Sequence, residues 1–354
     1  MRTMASIRST STRTSPVSKR IFPAEWALHA ASWFTWPANP DTWTDAIDAV
    51  RRDLASAFVE IARGEPVLVN VASAEEAEQV HELTGGHPDV VTLNLPSNDS
   101  WCRDHGPTIV MEGGRPKAIT WNYNAWGGKY PPYDLDAKLG AQMAACIGVP
   151  HEKASITLEG GALESNGEDI LLTTASCVLN PNRNPGLTRE DAERHLIERL
   201  GLPIVGWLEG ELDGDDTDGH IDNLVRFSGP YSILIAESIA GLANILELNR
   251  LEQISGRTFR MDTLPSPPVL LHEGHPLPCS HMNFYVTNAC VILPTYGGES
   301  DQTAQRTLTE HFPSHNIVPV DCRSIIRGLG AIHCLSQQIP AFDGFIRPTD
   351  DFLS

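Results

Sequence analysis

One cysteine, Cys334, follows a glycine-containing turn in Gly328-Leu-Gly-Ala-Ile-His-Cys-Leu-Ser-Gln-Gln338. Glycine adopts backbone angles that other residues avoid, so such a turn can present a thiol with little hindrance. The thiolate is the reactive form, and a bound cation beside it would draw the thiol toward ionisation at neutral pH. An arbitrary cysteine is more often an inert core thiol, and Cys102, Cys146, Cys177, Cys279, Cys290 and Cys322 are read that way.

A thiol nucleophile needs a partner to move protons. His333 is adjacent, but on an extended segment neighbouring side chains face opposite ways. His220 is the better candidate, within Asp213-Gly-Asp-Asp-Thr-Asp-Gly-His-Ile-Asp-Asn223. If residues 219–222 enter a strand, His220 and Asp222 share a face, and together they can handle protons and hold a cationic group. The plain alternatives are an exposed acidic turn or a cation-binding loop; the calcium spacing D-x-D-x-D-G is absent.

Further acids complete the set. Asn98-Asp-Ser-Trp-Cys-Arg-Asp-His-Gly-Pro107 places Asp99 and Asp104 around Trp101. A carboxylate accepts two parallel hydrogen bonds from a planar guanidinium, and an aromatic face supports a cation. Glu159 stands just before Gly160-Gly161. Singly each acid reads as a surface residue. Jointly with a cysteine and a histidine they describe a pocket for a cation attacked at carbon.

The elements that must position these residues repeat one pattern. Helix-like stretches at 74–84, 134–147, 188–200, 241–255 and 300–312 each lead to a strand-like run, at 89–95, 154–158, 203–207, 257–263 and 316–320. After each run comes one polar position: Asp104, Glu159, His220, Asn283 and Cys334, at intervals of about 50–60 residues. Strand pairs are expected at 107–112 with 116–121 and at 222–227 with 231–236. The pattern suggests five similar α/β modules aiming their ends at a shared centre; an open α/β sheet would show much the same alternation. The clearest single helix is 41–63, where Trp43, Ile47, Val50, Leu54, Phe58 and Ile61 form a stripe, Asp41 can cap the start and Gly64 can end it.

The chain has 354 residues, a length that suits one large domain, and no linker interrupts it from Phe22 onward. Its net charge of −19 argues against nucleic acid or anionic lipid as partner and attracts small cations. No apolar run is long enough to span a membrane. Seven widely spaced cysteines without a CxxC pair fit a reducing compartment, the cytoplasm, rather than a disulfide framework or a structural metal site. Residues 1–21, basic and rich in Ser and Thr, read as a disordered tail, with a transit segment as the alternative.

Several further segments resemble the agmatine deiminase branch of the guanidino-group-modifying enzymes, related to bacterial peptidylarginine deiminases. They include Glu25-Trp-Ala-Leu-His-Ala-Ala-Ser-Trp-Phe-Thr-Trp-Pro37, Asn98–Pro107, Asn124-Ala-Trp-Gly-Gly-Lys129 and Leu158-Glu-Gly-Gly161. Leu179–Pro185, Asp216–Asn223, Asn283-Phe-Tyr285, Pro294–Gly298 and Ile332–Gln338 follow in order, so the likeness covers residues 23 to 340. It implies a closed propeller of five ββαβ-type units around a central site. It also implies Cys334 as nucleophile, His220 and Glu159 in proton transfer, Asp104 and Asp222 as a guanidinium clamp, and Trp101 lining the pocket. Two departures stand out: Leu329 and Ala331 replace a glycine and an asparagine of the usual turn, and Glu164 lies where many relatives carry a histidine.

The expected reaction is hydrolysis of agmatine to N-carbamoylputrescine and ammonia, without metal or organic cofactor. An ammonium at the far end of the ligand wants carboxylates, and Asp216 in the acidic loop is the expected contact, with Asn283 also at the site. Arg103 and Lys129 keep free or peptidyl arginine in play as the alternative substrate. A non-catalytic binder of polyamines or cationic peptides is the reading from another class. Whether the chain forms a homo-oligomer is open.

Overall fold

The computed structural model describes residues 19–351. Among the described residues five sheets of three or four strands carry mixed α/β architecture, beside a two-stranded hairpin at Leu271–His272 and His275–Pro276. The expected repeat is visible in their plan. In each of three sheets an antiparallel pair is followed by a helix and a parallel third strand. Thr108–Glu112, Arg115–Asn122 and His151–Thr157 are linked through the helix Asp136–Cys146. Val225–Gly229, Ser232–Ala236 and Arg260–Leu264 use Leu242–Ser255, and Tyr285–Val286, Cys290–Thr295 and Asn316–Asp321 use Glu299–His311. Glu164–Ser165, Ile170–Thr174 and Ile204–Leu208 repeat the plan around Arg189–Leu200.

The last sheet unites distant segments. Ser336–Pro340 runs antiparallel to His29–Thr35, which lies parallel to Val67–Val71 and, beyond it, Val90–Asn94. Separate sheets with short crossovers exclude the single open sheet.

Local chemistry explains most boundaries. Ser73 and Thr188 accept hydrogen bonds from Glu76 and Asp191 backbone N–H groups and so cap their helices. Val67–Val71 is buried at every position, as a strand covered on both faces must be.

The 41–63 helix is interrupted. Pro40–Trp43 forms one turn capped by Asn39 rather than Asp41, Thr44 takes φ 41°, and the main helix runs Ile47–Ile61, ending before Gly64. The break frees Trp43 from the stripe to pack on Trp101, ring centroids 5.5 Å apart. The tail boundary also moves. Residues 1–18 of the expected tail lie outside the described residues, but Arg20 and Ile21 pair with Glu112 and Met111 as a strand. Among the described residues no helix is long and apolar enough to cross a membrane.

Candidate active site

The nucleophile turn is built from the backbone up. Ile332–Leu335 is a single helical turn rather than the extended segment assumed from sequence. Its first amides are held from another module: Asn283 Oδ1 accepts from the backbone N–H of His333 and of Cys334, at 2.9 and 3.2 Å. The same Asn283 points its amide nitrogen at Cys334 Sγ, 3.1 Å away, and that sulfur lies 3.8 Å from Asp222 Oδ2. Gly330 is obligatory, because a Cβ there would stand 2.4 Å from the Trp101 ring and 3.1 Å from Cys334 Cβ. Leu329, before it, takes the left-handed conformation at φ 69° that a glycine would accept without cost.

Burial is the main force on the thiol, and the Asp222 and Asp104 carboxylates add to it, so Cys334 is held well above its ordinary pKa. The resting group is therefore a neutral thiol.

A second cluster gathers around a buried histidine. His220 is fully buried, its Nε2 3.3 Å from Glu159 Oε2 and its Nδ1 3.8 Å from Asp104 Oδ1. Burial opposes charge on the ring, but Asp104, Cys177 and Glu159 raise its pKa well above the ordinary value. Burial likewise opposes ionisation of Glu159, yet His220 and Arg183 keep its pKa below the usual carboxylate value; Arg183 Nε donates to Glu159 Oε1 at 2.9 Å. Gly161 is another position beside the centre with no room for a side chain. A Cβ there would meet His220 Nδ1 at 2.5 Å and Asp104 Oδ1 at 2.9 Å, and its own N–H donates to Asp104 Oδ1 at 3.0 Å.

Asp104, on the short helix Cys102–His105, also accepts from Trp126 Nε1 at 3.0 Å. Burial pushes its pKa up to about 6, with His220 pulling the other way. For Asp222, burial is outweighed by the His333 hydrogen bond and charge, and the carboxyl stays below its usual value. Two of the buried polar atoms lacking a partner among the described residues lie in this centre: His220 Nδ1 and Asp222 Oδ1. No hydrogen bond joins Cys334 to His220 among the described residues; Asp104 and Asp222 act electrostatically on both.

A cavity of about 660 Å³ opens onto this centre, lined among others by Trp101, Asp104, Trp126, Asp216, Leu329 and Cys334. Asp216 accepts from the Tyr130 hydroxyl at the cavity wall. Lys129 Nζ is taken up by the Asp216 carbonyl and by Asp218 Oδ1, and Arg103 is buried among Gln338, Glu25, Ser336 and the His333 carbonyl. Arg327 lines the cavity and pairs with Asp45.

Cys334, His220, Glu159, Asp104, Asp222, Trp101 and Asn283 therefore converge, with Asp216 further out on the wall. One expected route to this did not hold. Ile221–Asn223 is a 3-10 turn, not a strand, so His220 and Asp222 meet the centre from a tight turn instead of a shared strand face. Sequence reasoning missed Cys177, counted among inert thiols, whose Sγ lies 3.7 Å from Glu159 Oε2. Glu159, Cys177 and His220 bring three metal-ligand atoms within 4.8 Å of one another. Arg183 and His220 already engage the two oxygens of Glu159, which opposes a cation there. Arg183 was missed too; its place inside the Leu179–Pro185 motif was the available signal.

The chain is similar to several known proteins. A Legionella pneumophila (strain Paris) protein provisionally named an agmatine deiminase is 34% identical over 329 residues, covering 90% of this chain and 94% of the relative. The substrate-bound structure of a cysteine-to-serine variant of C. jejuni agmatine deiminase superposes with a TM-score of 0.81 at 27% identity, covering 91% of this chain and 97% of that one. A Porphyromonas gingivalis protein provisionally described as an arginine deiminase gives 0.81 at 34% identity, covering 93% and 100%. The model of the Porphyromonas-type peptidyl-arginine deiminase family matches residues 21–340, and the chain belongs to that family.

Proposed function

We propose that the protein is an agmatine deiminase, hydrolysing agmatine to N-carbamoylputrescine and ammonia through a covalent bond to Cys334. The observation that carries this is an open set of buried acceptors beside the thiol: Asp222 Oδ1 lacks a partner among the described residues, and the Asp104 carboxylate lines the same cavity as Cys334. Buried polar groups are normally satisfied, so a set left open around a nucleophile suits a ligand with several N–H donors and a positive charge. A guanidinium has both.

The guanidinium lies between Asp104 and Asp222, and its charge lowers the cost of a Cys334 thiolate, whose proton leaves as the cation enters. Sulfur adds to the guanidinium carbon. Protonated His220, supported by Glu159, gives its proton to one nitrogen; the C–N bond breaks and ammonia departs, leaving a cationic thiouronium on sulfur. Neutral His220 then takes a proton from water as its oxygen bonds to carbon. The C–S bond breaks, the thiolate is restored, and loss of one proton gives the ureido product. All roles are held by side chains of this chain.

The far end of the substrate is assigned by charge. Asp216 lies on the cavity wall, while Arg103, Lys129 and Arg327 are engaged by other groups. That favours an ammonium over the carboxylate of free arginine, and the name of the C. jejuni relative points the same way. The Porphyromonas gingivalis likeness keeps arginine as the second reading. We place residues 22–354, with Arg20–Ile21 added by their strand pairing, in one catalytic domain, a five-unit propeller whose modules supply Asp104, Glu159, His220, Asn283 and Cys334 in turn. Seven unpaired cysteines support a reducing compartment, the cytoplasm.

Ammonia release from agmatine, arginine and a C-terminal arginine peptide, measured in parallel, tests the assignment. Agmatine should be preferred, and Cys334→Ala should lower turnover by at least about a thousandfold with folding intact. Retained turnover in that variant would sink the covalent mechanism; binding of agmatine without ammonia from the wild type would favour the polyamine-binder reading.

A further inference from the structure

Two motif residues take no direct part in that chemistry, Glu25 at one end of the matched region and His333 beside the nucleophile. The fold brings them together. His333 Nδ1 lies 2.7 Å from Asp222 Oδ2, and His333 Nε2 lies 2.7 Å from Glu25 Oε2. All three side chains are buried. A neutral imidazole would turn a lone pair toward one of two carboxylates, so a ring placed between both is a double donor, an imidazolium.

Glu25 is itself held. Its Oε1 accepts from Arg226 NH2 at 2.7 Å and from Val286 N–H at 2.9 Å, and its Oε2 also faces Arg103 at 3.4 Å. Arg226 in turn donates to Glu164 Oε2 at 2.9 Å and to the Phe284 carbonyl at 2.7 Å. Asp222 is thus anchored through one oxygen, while Oδ1 remains open toward the centre.

We propose that Glu25 and His333 are positioning residues, a buried carboxylate–imidazolium–carboxylate chain that fixes Asp222 as an anion with one oxygen reserved for substrate. The inference rests on the deiminase reading. His333 also moderates the effect of Asp222 on the nearby thiol, since a cation 2.7 Å from that carboxylate partly cancels the field reaching Cys334 Sγ at 3.8 Å. The other groups acting on Asp222 are His220 and Arg226, with the acids Asp104 and Glu159 beyond the substrate position. Burial raises the cost of an Asp222 anion, and His333 is the foremost group that offsets it.

The test is the pH dependence of kcat/KM for agmatine in wild type and His333→Gln. Glutamine can still donate to Asp222 but carries no charge. In this variant Asp222 should protonate more readily, so the acid limb that Asp104 sets near pH 6 should steepen as a second proton joins it, with KM rising more than kcat falls. Glu25→Gln, which strips His333 of one carboxylate, should steepen the limb in the same way by less. Melting curves establish that each variant is folded, and the Glu25 variant decides the matter if the His333 variant is not. A lower kcat with a limb as shallow as that of the wild type, or no change at all, overturns the proposal and leaves packing as the role. A wild type that releases no ammonia would instead overturn the deiminase reading.

Discussion

Asp104 has the most exacting balance of any single residue here. It must be a carboxylate to hold a guanidinium, yet burial raises its pKa to about 6 despite the opposing pull of His220. Below that value the free protein carries a neutral carboxyl that cannot form the ion pair. The profile of kcat/KM reports groups of the free protein, so activity on agmatine should fall as pH drops through about 6 and hold above it. A profile flat from pH 5 to 8 would remove Asp104 from binding. Residues of this kind were legible in the sequence as types: Cys334, His220 and the acids stand in motifs whose order survives across the chain. What no local pattern carries is pairing across long separations. Glu25 meets His333 over 308 positions, and Arg226 meets Glu25 over 201. Cys177 joined the centre through proximity to Glu159, although its own segment reads as ordinary core.

Elements were more legible than side chains wherever capping and periodicity agreed, as for Arg189–Leu200 with Thr188 before it and left-handed Gly201 after it. They failed where tertiary packing overrode local preference. The turn at Thr44 breaks a sound apolar stripe because Trp43 is needed against Trp101 and the nucleophile turn. The helix Asp136–Cys146 shows a related compromise. Asp136 Oδ1 accepts from the backbone N–H of Asn98 at 2.7 Å, tying the loop that carries Trp101 to this helix, but burial drives its pKa up to about 7. In the unfolded chain the same carboxyl ionises near pH 4. The native state therefore keeps a proton that the unfolded state releases, and this contribution to stability, full below about pH 4, is lost as pH rises to about 7. Asparagine keeps the acceptor and does not ionise. Asp136→Asn should accordingly melt about 2–4 °C higher than wild type at pH 8, with a smaller difference at pH 5. Equal differences at both pH values would show that the proton is not the cause.

At the scale of the whole molecule, a net charge of −19 surrounds a cavity whose proposed substrate is a dication. Such a field speeds encounter and is screened by salt. Raising sodium chloride from about 20 to about 200 mM should lower kcat/KM for agmatine severalfold and leave kcat nearly unchanged. A salt-independent kcat/KM would mean that only the local acids matter. The sheet that joins Ser336–Pro340 to His29–Thr35 bears on the order of events at birth. Among the described residues four of the five larger sheets take all their strands from neighbouring stretches, Arg20–Ile21 apart, and can form while later residues are still being added. Cys334 cannot be seated in that way, because the strand that follows it must find a partner made some 300 residues earlier, a slow closure. During synthesis the acidic basin thus exists before its thiol does. A chain ending just short of Ser336 would hold the acids of the centre and the Cys334 thiol, but not the strand that seats that thiol among them.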